Sequence, residues 1–199
     1  MCRWDARAVF NFFPTIKRSV NDLLGDGDDY AKNPKVDIEL LARNNGIIDI
    51  QYVSPEKISE KYPKAHAYID EEKSIIYVSN DYNSEKQRFL IAHEFFHFLF
   101  ILVNKDGSAL SVVTRRGNAW KQENAGSDEA VGEDIADFFA ANLLVPTERF
   151  ILWDEKTDNE IAAAFGVEEE CIKKRRKEIG YELHILEPKI RLSDKNTSL

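Results

Sequence analysis

Apolar positions recur at three- and four-residue steps over residues 4–24 (Ala6, Val9, Phe10, Phe13, Ile16, Val20 and Leu23), which predicts an amphipathic helix. Pro14 falls inside it and marks a start or a kink, so the stretch divides into two pieces or bends there. A loop of Gly, Asp and Asn follows over Gly25–Pro34. Residues 36–44 repeat the helical period and stop at Asn44-Asn45-Gly46. Ile47–Val53 reads as a strand and Pro55–Lys61 as a short helix. Ala65–Ile69 and Ser74–Ser79 read as two strands joined by the acidic turn Asp70-Glu71-Glu72-Lys73.

The most apolar run of the chain, Phe89–Val103, lies in a helix expected from Ser84 to about Leu102. Ser84 is the expected cap, with Gln87 three residues on in capping-box position. Residues 104–127 read as loop. A second strong helix is expected over Asp128–Leu144, ended by Pro146. Short helical segments follow around 147–153, 158–165 and 168–178, with Tyr181–Leu186 as a last strand and a polar tail after Pro188. The division read from this order is 1–34, an N-terminal helical segment; 35–157, the main domain; 158–187, a C-terminal helical segment of helix-turn-helix type; and 188–199, a tail.

Composition narrows the class. At 199 residues the chain suits one compact domain, and its 43% hydrophobic content can fill a core. The net charge of -8 repels nucleic-acid phosphates and anionic lipid heads, so neither is the expected partner. Cys2 and Cys171 stand far apart and make neither a disulfide framework nor a CxxC pair, which fits a reducing cytosol. The run Phe89–Val103 is too short to span a bilayer, and the start of the chain lacks the pattern of a signal peptide.

The charged residues that interrupt the apolar run are informative. His93-Glu94-Phe95-Phe96-His97 is an HExxH motif. On a helix, His93 and His97 project from one face, one turn apart, and both can reach one zinc ion at about 2.0–2.1 Å. Glu94 stands beside them, placed to take a proton from water rather than to ligate. Two imidazoles and a carboxylate in so apolar a run are costly without partners, and a metal relieves that cost. A catalytic zinc site needs a third protein ligand and one open position. Glu133, on the second strong helix, is the expected ligand, with Asp134 and Glu129 as alternatives. Asp137, one turn on, is expected to accept a hydrogen bond from a ligand histidine and fix its tautomer. Ala136 and Ala140 on that side would let the two helices approach closely.

Two stretches carry a resemblance. Gln87-Arg88-Phe89-Leu90-Ile91-Ala92-His93-Glu94 is similar to the RF-x-x-AHE signature of the ImmA/IrrE metallopeptidases. Glu133–Pro146 resembles that family's second signature, E-x-x-A-[ND]-x-FAA-x-LL-x-P, and Ile161–Val167 its later segment. The resemblance covers roughly residues 36–180. Phe96 departs from it, since many members have Gly there. It implies an α+β, zincin-like fold: a small, mostly antiparallel sheet packed on helices, with HExxH on a central helix. It also implies a cytosolic zinc metallo-endopeptidase of bacteria or their mobile elements. The partner it implies is a protein substrate such as a helix-turn-helix transcriptional repressor, in some members within toxin–antitoxin-like pairs.

Other residues carry blander readings. His66 and His184 read as strand or surface histidines, and the three tryptophans as packing residues. His66, Tyr68 and Tyr77 are candidates for stabilising an oxyanion. Lys173–Lys177 suggests DNA binding in the sharp reading and a solvated helix face in the plain one. A non-cleaving, metal-binding regulator is the main alternative to the protease.

Overall fold

The computed structural model describes residues 16–25, 33–106 and 128–180. The first part of the expected 4–24 helix, with Pro14, most of the 104–127 loop, the 181–186 strand and the tail lie outside the described residues. Helix α1 covers residues 16–24. Helix α2 (Ile38–Asn44) starts at Asp37, whose side chain accepts from the Leu40 N–H. It ends at Asn45-Gly46, where Gly46 has φ +106° and the Phe98 ring lies 3.2 Å from the place a Cβ would take. Any side chain there would be strained and would press on that ring.

Three strands follow, with a helix between the first two. These are β1 (Asp49–Val53), α3 (Pro55–Lys61), β2 (Ala67–Asp70) and β3 (Ile75–Ser79). The order across the sheet is β1-β3-β2, with β2 antiparallel and β1 parallel to β3. The sheet is therefore mixed rather than mostly antiparallel. The acidic turn lets β3 fold straight back on β2, whereas α3 and β2 intervene between β1 and β3 and supply the long crossover that parallel strands need.

Helix α4 (Ser84–Asp106) runs four residues past the expected Leu102. Its cap is Asn83, not Ser84: the Asn83 Oδ1 accepts from the Lys86 N–H at 2.8 Å and the Asn83 carbonyl from Gln87 N–H at 3.0 Å. Gln87 makes no capping box; its side chain donates to the Ser79 carbonyl at 3.1 Å. Helix α5 (Asp128–Leu144), α6 (Thr147–Ile151), α7 (Asp158–Phe165) and α8 (169–180) complete the described chain. Thr157 and Glu160 form a reciprocal capping box on α7.

The core lies between the sheet and α4, and between α4 and α5. Ile76 and Val78 of β3, Ile91, Ala92 and Phe95 of α4, and Ala136, Phe139 and Ala140 of α5 are essentially buried. Helices α7 and α8 feed Ile161, Phe165 and Ile172 into the same cluster. Arg88, near the start of α4, donates to the Val36 carbonyl at 2.7 Å and the Gly166 carbonyl at 2.9 Å. It thus ties α4 to the chain entering α2 and to the end of α7. Among the described residues, no helix is long and apolar enough to cross a membrane.

Candidate metal centre

His93, Glu94 and His97 come from the middle of α4, and Glu133 and Asp137 from the facing side of α5. Ala136 and Ala140, both fully buried, let the two helices close on each other. Three side chains bring donor atoms together in the gap. His93 Nε2 lies 3.1 Å from Glu133 Oε2 and 3.1 Å from His97 Nε2, and His97 Nε2 lies 3.5 Å from Glu133 Oε1. Tetrahedral zinc with bonds of about 2.0–2.1 Å has ligand atoms about 3.3 Å apart, so the spacing and the donor types fit that ion. The three side chains are a group that could hold a metal ion. Among the described residues Asp134, an alternative to Glu133, stands outside it, and the Glu129 side chain lies outside the described residues.

Asp137 pairs with His93. His93 Nδ1 donates to Asp137 Oδ1 at 2.9 Å, which fixes the tautomer and turns Nε2 toward Glu133 and His97. Burial disfavours the charged form of His93, but Asp137 and Glu133 outweigh it and raise the imidazole to about 9. The hydrogen bonds from His93 and His97 hold Glu133 far below the usual carboxylate range. Glu94 is nearly buried, and that burial raises its carboxyl against the pull of His97 and His93.

Glu94 also accepts a hydrogen bond from the Ile69 backbone N–H. Sequence reading missed this contact, because a backbone donor leaves no side-chain signature. The Ser79 N–H bonds to the His66 carbonyl, so residues 66, 68 and 70 face β3, and the backbones of Ala67 and Ile69 face the outer edge of β2. That edge therefore adjoins Glu94. Ser74–Ser79, the other strand considered for holding a peptide, is the central strand, with both edges paired. The edge of β1 is blunted: the Asp49 carboxylate accepts the Ile50 N–H, and Arg43 pairs with Asp49 at 3.2 Å.

The oxyanion candidates are elsewhere. Tyr68 and Tyr77 stack at 4.7 Å on the sheet face away from α4, under Lys61 and Lys57. His66 Nδ1 pairs with the Tyr82 hydroxyl at 2.8 Å. Three residues of the basic run of α8 are paired within the chain. Arg175 is fully buried and donates to the Val145 carbonyl and Thr147. Arg176 bonds Asp158 and Asp154, and Lys173 pairs with Glu169. A helix so engaged offers phosphates little free charge.

Comparison with solved structures finds a Mycobacterium tuberculosis transcriptional regulator with a TM-score of 0.56 at 14% identity. The match covers 83% of this chain and 46% of that one, so the chain spans less than half of its length, and the likeness concerns the fold. No curated protein matches the chain. The family model of the IrrE N-terminal-like domain, a metallopeptidase-like family, matches residues 48–177, from the start of the sheet through α8. That span exceeds half of the sequence and contains both helices of the candidate metal centre: the chain belongs to the IrrE N-terminal-like domain family.

Proposed function

We propose that the chain is a zinc-dependent metallo-endopeptidase that hydrolyses a peptide bond in a protein partner, with a helix-turn-helix transcriptional repressor as the favoured substrate. The observation that carries this reading is the set of donor atoms from His93, His97 and Glu133, 3.1–3.5 Å apart, with Glu94 close enough to feel the charges of all three. A zinc ion held there supplies Lewis acidity, which polarises a carbonyl and acidifies a water molecule. Glu94 takes the proton of the attacking water and returns it to the leaving amine; its raised carboxyl suits a group that must both accept and give a proton. Asp137 holds the His93 ring and keeps a proton on Nδ1. The outer edge of β2 supports an extended peptide by strand addition, which would bring the scissile bond beside Glu94. Residues 35–157 carry this machinery in a cytosolic protein, with the flanking helices as support.

The test is co-expression with a helix-turn-helix repressor encoded beside its gene, or in its absence elsewhere in the same genome, followed by mass spectrometry of that repressor. The zinc-loaded protein cuts it; Glu94→Gln keeps the zinc and loses cleavage by roughly 100- to 10,000-fold. A second reading is a non-cleaving regulatory partner-binding protein. It is favoured by one observation, that the similar structure is titled a transcriptional regulator. It predicts a stable complex and no cut product with either form.

A further inference from the structure

The two histidines are held by different means. His93 is engaged at both ring nitrogens, with Nδ1 on Asp137 at 2.9 Å and Nε2 in the donor cluster. His97 is engaged only through Nε2; among the described residues no hydrogen-bond partner reaches its Nδ1. Its side chain is also more open, 26% exposed against 11% for His93. A half-free imidazole on an open helix face samples several rotamers, and each misplaced rotamer weakens a metal site.

Besides the His93 ring, whose centroid lies 4.9 Å away, the His97 ring has Phe96 as an aromatic neighbour. The Phe96 and His97 rings lie 5.9 Å apart at 64°, an edge-to-face arrangement. Phe96 is itself immobilised. It is 4% exposed and packs on Phe139 of α5 at 5.2 Å and on Phe100, one turn along α4, at 5.8 Å. Ala136 and Ala140 leave the α4–α5 interface room for a ring of this size. Phe139 follows Asp137 on α5 by two residues, so one helix steadies His93 with a carboxylate and, through Phe96, steadies His97 with a ring.

We propose that Phe96 is a positioning residue for metal binding, an aromatic brace that holds His97 where a hydrogen bond holds His93. The inference rests on His93, His97 and Glu133 binding a divalent cation. It reaches beyond that reading by assigning a role to a position that neither ligates nor titrates.

The experiment measures zinc affinity of the full chain by competition with a chromophoric chelator, together with the melting temperature with and without zinc. Phe96→Leu, which keeps much of the volume and removes the ring, is expected to weaken zinc binding about tenfold. The rise in melting temperature on adding a fixed amount of zinc should shrink accordingly. Phe96→Met, an unbranched filler, should behave alike and serves if the leucine variant fails to fold. A variant that melts lower without zinc but binds zinc as tightly as the parent overturns the proposal, because the ring would then only fill space. A parent chain that takes up no zinc overturns the metal reading itself, and the brace with it.

Discussion

The Nδ1 of His93 donates to Asp137 at 2.9 Å across the interface between α4 and α5, two positions 44 residues apart in sequence. This bond does two things at once. It decides which ring nitrogen keeps its proton when the ring is neutral, and it locks the helix carrying the HExxH motif to the helix carrying Glu133. The register of one helix on the other thereby sets the geometry of the donor cluster.

If that bond orients the ligand, Asp137→Ala should weaken zinc binding about 10- to 100-fold. Asp137→Asn, which can still accept from Nδ1, should lose less. Equilibrium zinc affinity reports it, and equal affinity in parent and variants would remove the role.

Proton binding and metal binding should compete at His93. In the metal-free protein its imidazole is raised to about 9, so the stability it contributes is full below about 6.5, the ordinary histidine value, and is lost as pH rises through 9. Glu133 is shifted the other way; its contribution is full above the ordinary glutamate range and is lost as pH falls below it. The metal-free melting temperature should therefore be highest at mildly acid pH and decline between 6.5 and 9. Zinc uptake should strengthen over that same upper interval and release protons. Melting curves and proton-release calorimetry across pH 5–9 measure both.

Arg175 is the largest fully buried side chain among the described residues, and it joins α8 to the turn after α5. Replacing it by Met removes the donors to the Val145 carbonyl and Thr147 and the partner of Glu178. A loss of about 3 kcal/mol in urea unfolding is expected. Because α8 lies away from the donor cluster, the zinc affinity of the folded fraction should stay near that of the parent.

The cap of α4 separates two neighbouring residues. Asn83→Ala should destabilise the protein by about 1 kcal/mol, since the Lys86 N–H loses its acceptor. Ser84→Ala should be nearly neutral, its hydroxyl being on Glu85 instead. Paired denaturation curves decide it; the reverse order would return the cap to Ser84.

Much of the fold was legible because it is local. The period of Ile38 and Ala42 marked α2, Pro55 opened α3, Pro146 closed α5, and the 158–165 helix sits where its pattern put it. Within the centre, HExxH carried its own geometry, because a one-turn separation on a helix brings His93 and His97 together whatever the surroundings. Glu133 and Asp137 were readable as a pair on one face of a second helix. The Asn83 cap was missed because Asn83 and Ser84 both have capping side chains and only the backbone path chooses between them.

The sequence by itself therefore determined which side chains can meet along one helix: two imidazoles a turn apart, and two carboxylates a turn apart. The tertiary structure alone decided that these two faces look at each other, that among the described residues β2 is an edge strand and β3 the central one, and that Ile69 N–H rests on Glu94. It also decided that Arg175 is buried and that Arg176 pairs with Asp158 and Asp154. The physical reason is the range of the forces. Helical periodicity and capping act over three or four residues, whereas strand order, helix register and the burial of a charge depend on groups that only packing brings within reach.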